Sequence, residues 1–194
     1  NWYGRLRMSG WDTIPQLYSL NAALGSYDSE MKILGGPRKG LKFNLENQQL
    51  HEVDTAGNMT LSTEDHFADK MVFKSYWFQF PFRVAEADII RYWGEQEVEG
   101  KTYQLLYVTW GSLKANKDFD QFMLYLDKET HLIEILHFTV RDKIPVGKLT
   151  ATFLDFREVQ NLTLPYSQYV RMGSPMENRL GMHENHYEYI EFQK

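Results

Sequence analysis

The sequence predicts a mainly β (α+β) fold built on a curved antiparallel sheet with an apolar interior. Three observations lead there. Aromatic residues make up 15% of the 194, with 12 Tyr, 12 Phe and 5 Trp, and flat side chains pack well on a pleated surface. Between residues 100 and 192, short β-prone runs alternate with turn residues at the spacing of antiparallel meanders. Within those runs, apolar side chains fall on both faces of each strand.

The C-terminal half is the more legible. Residues 103–110 form a predicted strand, and a polar loop follows over 114–118. Residues 119–126 and 132–140 flank Asp127, Lys128, Glu129 and Thr130, a connection short enough to close a hairpin at little entropic cost. Further strands are expected over 148–158, after a turn at Pro145, Val146 and Gly147, over 166–172 after Pro165, and over 186–192. Successive strand residues face opposite ways, so Leu106, Val108 and Trp110 oppose Tyr103, Leu105 and Tyr107. Likewise Leu132, Leu136 and Phe138 oppose Ile133 and Ile135, and Leu149, Ala151 and Phe153 oppose Leu154 and Phe156. An antiparallel sheet commonly leaves one face to water. Two apolar faces require a cover on the second, which a helix layer, a neighbouring sheet or a ligand could provide.

A helix over residues 63–80 is the candidate cover. Ser62 and Asp65 have the spacing of a capping box, Glu64 and Asp65 suit the positive helix start, and Pro81 supplies a stop. Ala68, Met71, Val72, Ser75 and Tyr76 would form its apolar stripe. Tyr76, Trp77, Phe78, Phe80 and Phe82 then place five aromatics in seven positions, too many for one helix face. They are either core filler or the lining of a pocket. Nearer the N-terminus, strands are expected over 31–34, 41–45 and 50–53, a helix or strand over 14–24, a turn over 54–58 and a second short helix over 84–90. No repeat, low-complexity tract or linker interrupts the chain, so one domain spanning residues 1–194 is expected.

Composition excludes several function classes. A net charge of −5 without a long Lys/Arg run argues against nucleic acid, and the basic residues within 32–39 surround Gly35, Gly36 and Pro37 as a solvated turn. With no cysteine, neither a disulfide framework nor a thiolate metal site is possible. No apolar run approaches the roughly 20 residues of a membrane-spanning helix. The chain opens on Asn1 rather than Met, which suggests a processed or truncated product. The expectation is export to the periplasm or cell surface, with lipid anchoring through a removed N-terminal segment as one form of it.

Catalytic patterns are sparse. In His183, Glu184, Asn185 and His186 the histidines stand three apart, whereas a zinc-protease helix needs them four apart, and in a strand that spacing points them to opposite faces. Glu95, Glu97 and Glu99 read as a solvated strand edge. No nucleophile elbow, Walker loop or dinucleotide fingerprint is present, and the glycine-rich stretch 35–40 lacks the Gly-Lys-Ser/Thr ending. The chain is therefore expected to be no enzyme and to need no cofactor or metal.

Residues 122–132, continuing through 147–153 and 156–159 to Leu164 and Pro165, form a strand, Asp-turn, strand, strand and Leu-Pro pattern. This pattern resembles the outer-membrane lipoprotein-sorting (LolA/LolB-like) superfamily over roughly the C-terminal half, and within it an uncharacterised exported or lipid-anchored branch. The resemblance implies an incomplete antiparallel barrel with helices covering its open side, around a cavity that accepts acyl chains. Gln160 and Asn161 stand where the family often has a glycine turn, and Ile144, Pro145 and Val146 lengthen another connection. No residue aligns with the carrier's functional arginine.

Together these readings give a non-catalytic, monomeric carrier of a lipid or other apolar molecule in the cell envelope. Trp77, Phe78, Phe80, Tyr107, Trp110, Phe153 and Phe156 are its candidate lining residues. The first alternative is a structural or interaction envelope protein with a filled core, meeting envelope proteins or the membrane surface. A hydrolase around Glu184 and His186 is the lesser rival.

Overall fold

The structure, a computed structural model, describes residues 2–8, 14–21, 23–114, 118–141, 144–177 and 181–191. The chain folds into two compact units. The first comprises Asn1–Arg83, Glu158–Leu164 and Asn185–Lys194, and the second Val84–Arg157 and Pro165–Glu184.

The first unit is a meander under a helix. Strands β1 (Trp2–Met8), β2 (Ile14–Leu20), β3 (Ser29–Ile33), β4 (Lys42–Glu46), β5 (Gln49–Val53) and β6 (Met59–Leu61) pair antiparallel in that order. The helix α1 (Asp65–Arg83) packs on β3, β4 and β5. Cross-strand register places Tyr18, Met31 and Phe43 in one row and Gln16 and Ile33 in the next, all on the helix side. All five are essentially inaccessible. On the opposite face, Leu17, Lys32, Lys42, Val53 and Met59 form a row that is half-buried to exposed, so this part of the sheet has one dry and one wet side.

The helix begins within two residues of expectation, with the Ser62 hydroxyl accepting from the Glu64 amide at 3.2 Å. Its buried stripe differs from the predicted one. Met71 and Ser75 are buried as expected, but their companions are Phe67, Lys74 and Phe78, while Ala68, Val72 and Tyr76 are half-buried. Phe67 sets this phase: its ring lies 4.5 Å from that of Phe43, which rotates the helix by about one position. Pro81 lies inside the helix rather than ending it. It donates no hydrogen bond to the carbonyl four residues earlier, and the helix ends two residues after it. Gln79 ties α1 to the loop before β3, donating to the Ser26 carbonyl at 2.6 Å and accepting from the Gly25 amide at 2.9 Å.

The second unit is also an antiparallel meander. Strands β7 (Ile89–Val98), β8 (Lys101–Thr109), β9 (Gln121–Asp127), β10 (Ile133–Val140) and β11 (Ile144–Val159) pair in that order. β12 (Leu162–Met172) lies beside β11, and β13 (Gly181–Ile190) beside β1. Leu106, Leu124, Leu136 and Ala151 form one cross-strand row, and Val108, Phe122, Phe138 and Leu149 the next, on a single face. The other face carries Leu105, Tyr125 and Ile135, which cluster with Tyr103 and Val98. Ile135 and Leu136 are neighbours on opposite faces, at 5% and 0% exposure. Both faces are therefore covered in the central strands β8, β9 and β10, as their alternation predicts, whereas Leu154 of β11 and Ile90, Tyr92 and Trp93 of β7 are exposed.

Several local expectations change. Val84–Glu86 forms a single 3-10 turn, and residues 89 and 90 already belong to β7 rather than to a second helix. Pro145, Val146 and Gly147 lie within β11 rather than in a turn, since Ile144 already pairs with Val140 across a register shift. Pro165 lies within β12, which begins at Leu162. The hairpin turn before it uses Gln160 at φ 48° and Asn161 at φ 69°, the left-handed pair that suits a two-residue turn, with no glycine needed. The segment 14–24 resolves as strand β2 over Ile14–Leu20. Part of the loop expected over 114–118 and the end of the strand expected to reach 192 lie outside the described residues.

Candidate functional site

The seven sequence-predicted lining residues divide between the units, and each group has its own surroundings. Trp77, Phe78 and Phe80 sit on α1 in the first unit. Phe78 is 8% and Phe80 1% exposed, so they are core residues in this conformation, whereas Trp77 is half-buried. The Trp77 and Phe80 rings lie 6.3 Å apart, and Tyr76 is 5.9 Å from each. This three-ring cluster forms because seven consecutive positions circle the helix nearly twice, which forces some aromatics off the buried stripe.

Tyr107, Trp110, Phe153 and Phe156 belong to the second unit, and all four are half-buried. Tyr107 stands in a cross-strand row with Met123 and His137, beside the Leu105, Tyr125 and Ile135 row. Its ring is 5.8 Å from that of Trp93. Trp93 and Tyr92 are about equally exposed because a bulge at Gly94, φ 100°, shifts the register of β7 there. Trp110 faces the other way, its ring edge-on to Phe122 at 5.7 Å, and Phe122 stacks on Phe138 at 6.2 Å. Phe153 and Phe156 are separated by Asp155 at φ 54°. A left-handed residue breaks the two-residue alternation, so the facing of Phe156 does not follow from a parity count along β11.

A polar network closes the β8–β9–β10 end of the second unit. The Asp127 carboxylate accepts from the Glu129 and Thr130 amides at 3.0 and 2.7 Å and from the Thr130 hydroxyl at 2.8 Å, fixing the predicted turn. Lys101 Nζ lies 2.7 Å from Asp127 and 2.8 Å from Glu134, and the Tyr103 hydroxyl donates to Glu134 at 3.0 Å. Lys101 and the turn donors hold the Asp127 carboxyl well below its usual range, and burial followed by Glu134 pushes the Tyr103 phenol up to about 12. These groups are satisfied by one another, which fits a structural clasp.

Beneath α1 a different polar group is buried. Lys74, 6% exposed, donates to Asn185 Oδ1 at 2.7 Å and to the Tyr187 hydroxyl at 2.9 Å. Its Nζ also lies 4.7 Å from the Tyr187 ring centroid and 5.7 Å from that of Tyr18. No carboxylate among the described residues pairs with it. Burial, aided by Lys70, pulls its ammonium down to about 7. The Tyr18 hydroxyl donates to Gln16 Oε1 at 2.5 Å, while Gln16 Nε2 and the Ser75 hydroxyl are buried with no hydrogen-bond partner. Sequence reasoning missed this cluster. Its one local signal is a lysine seven residues after Phe67 and four before Phe78, in phase with an apolar stripe.

On the wet face of the first unit's sheet, a groove of about 520 Å³ is lined by Leu17, Ser19, Glu30, Lys32, Lys42, Asn44, Val53 and Met59, together with Met31 and Phe43, whose side chains point to the helix side. Lys32 and Lys42 are direct cross-strand partners. None of the seven predicted lining residues borders it. His183, Glu184 and His186 lie on β13, and Glu184 accepts a hydrogen bond from the Tyr169 hydroxyl. Among the described residues, no group of three or more His, Asp or Glu is placed to hold a metal ion, and no helix is long and apolar enough to cross a membrane.

A family model described as a family of unknown function (DUF6503) matches residues 38–148, more than half of the chain, and the chain belongs to that family. No curated protein matches the sequence. The chain has the fold of the LolA superfamily. A LolA superfamily protein from Nitrosomonas europaea superposes with a TM-score of 0.60 at 8% identity, covering 99% of this chain and 84% of that one. An outer membrane lipoprotein-sorting protein domain from Vibrio parahaemolyticus gives 0.56 at 8% identity over 97% and 82%. A DUF1329 family protein from Desulfovibrio piger gives 0.55 at 14% identity over 98% and 82%.

Proposed function

We propose that this member of the family is a non-catalytic, exported protein of the cell envelope that binds a lipid or other apolar molecule in the layer beneath α1. One observation carries the reading: that layer is apolar, yet it encloses Lys74 with only neutral acceptors and leaves Gln16 Nε2 and the Ser75 hydroxyl without hydrogen-bond partners. A buried polar group left unpaired costs about 1–3 kcal/mol. A long apolar molecule with one polar end would offset that cost while burying apolar surface at about 25 cal/mol per Å². The fold shared with a lipoprotein-sorting domain supports the same class of ligand.

In this reading Trp77, half-buried on α1, borders the ligand, and Phe78 and Phe80 meet it when the helix shifts. Tyr107, Trp110, Phe153 and Phe156 supply half-buried apolar surface in the second unit for ligands of the same kind. Native mass spectrometry of gently purified protein is expected to show a population carrying one added mass of lipid size. A spectrum of the bare chain alone would count against the proposal.

The groove on the wet face favours a second reading, an interaction module with a filled core. About 520 Å³ falls in the size range of ligand pockets. Two directly paired lysines there repel one another unless a partner meets them.

A further inference from the structure

We infer that Lys74 anchors the carboxylate of a long-chain fatty acid, a free acidic amphiphile whose chain lies along the apolar face of α1. This rests on the lipid-binding reading and names the ligand's head group. The argument begins with charge. A buried cation is normally paired with an anion, because removing it alone from water is strongly unfavourable. Among the described residues Lys74 has only neutral acceptors, Asn185 Oδ1 at 2.7 Å and the Tyr187 hydroxyl at 2.9 Å. Those bonds use two of the ammonium's three donors.

The neighbouring groups also suit a carboxylate. Gln16, 1% exposed, commits its carbonyl oxygen to Tyr18 and leaves its amide nitrogen, a donor, without a partner. Gln16 and Lys74 both adjoin Tyr18, the first through its carbonyl oxygen on the hydroxyl and the second with Nζ 5.7 Å from the ring. A carboxylate has two oxygens and accepts from both kinds of donor at once. Met71 and Phe78 flank Lys74 on the buried stripe, and Tyr18 and Met31 are buried on the helix side of the sheet, so the tail lies among apolar side chains that are packed together here and must part to admit it. Burial has already drawn the free ammonium's pKa down, so an arriving anion relieves an existing cost.

Binding of oleate and of methyl oleate, which has the same chain without the charge, tests this on the full chain after delipidation. The wild-type protein is expected to prefer oleate by at least about tenfold, which is about 1.4 kcal/mol. Lys74→Met should lose that preference while keeping its affinity for methyl oleate, and that retained binding shows that the variant folds. Lys74→Gln, which keeps a hydrogen-bond donor but no charge, should behave likewise. Equal binding of the two ligands by the wild type overturns the anchor and leaves the lipid reading standing, as does a preference for oleate that survives in both variants. Binding of neither ligand overturns the lipid reading, and the anchor with it.

Discussion

Replacing either Ile135 or Leu136 with alanine is expected to destabilise the protein by about 2–5 kcal/mol, although the two side chains point to opposite faces of β10. Leu136 is fully buried in the row of Leu106, Leu124 and Ala151. Ile135 packs on the other face among Val98, Tyr103, Leu105 and Tyr125. Each truncation removes buried methyl groups and leaves a cavity that its neighbours fill only in part. In a sheet with one wet face, one of two adjacent positions tolerates alanine within about 0.5 kcal/mol. Urea denaturation of the pair distinguishes the cases, and comparable losses at both positions are the predicted result.

The second large effect lies in the first unit. Phe43→Ala is expected to cost about 3–5 kcal/mol, because its ring is 1% exposed and lies 4.5 Å from Phe67 at the start of α1. Removing it also strips the contact that sets the rotational phase of the helix, so amide exchange along α1 should accelerate. Phe73→Ala on the same helix, where the ring is 39% exposed, is expected to change stability by less than about 0.5 kcal/mol. Equal effects from the two substitutions would mean that α1 is not docked through its Phe67 stripe.

The strands from residue 101 onward were legible because their apolar residues alternate and because the Asp127 turn is built from local hydrogen bonds, the kind that spacing along the chain reveals. The elements that escaped lack such signals. β1 mixes Gly4, Arg5 and Arg7 into its run, β6 is three residues long, and the Gly94 bulge breaks the alternation of β7. Pro145 and Pro165 mark turns in sequence terms, yet both lie inside strands.

The candidate site was less legible than the fold. The density of the α1 aromatics is visible in the sequence, but density does not separate core from lining: Phe78 and Phe80 are buried while Trp77 is half-buried. Lys74 escaped because a lysine reads as a solvent-facing residue, and its partner Asn185 lies 111 positions away along the chain. Burial and unpaired donors are properties of three-dimensional neighbours. A stripe that runs Phe67, Met71, Lys74, Phe78 shows only that a charge has been placed where apolar residues belong.

Titration of the delipidated chain with a fluorescent long-chain fatty acid tests the central claim most directly. Saturable binding at one site per chain, competed by unlabelled oleate, is the expected result. Fluorescence that rises without saturation, or that oleate fails to displace, would mean that the layer beneath α1 is a permanently filled core.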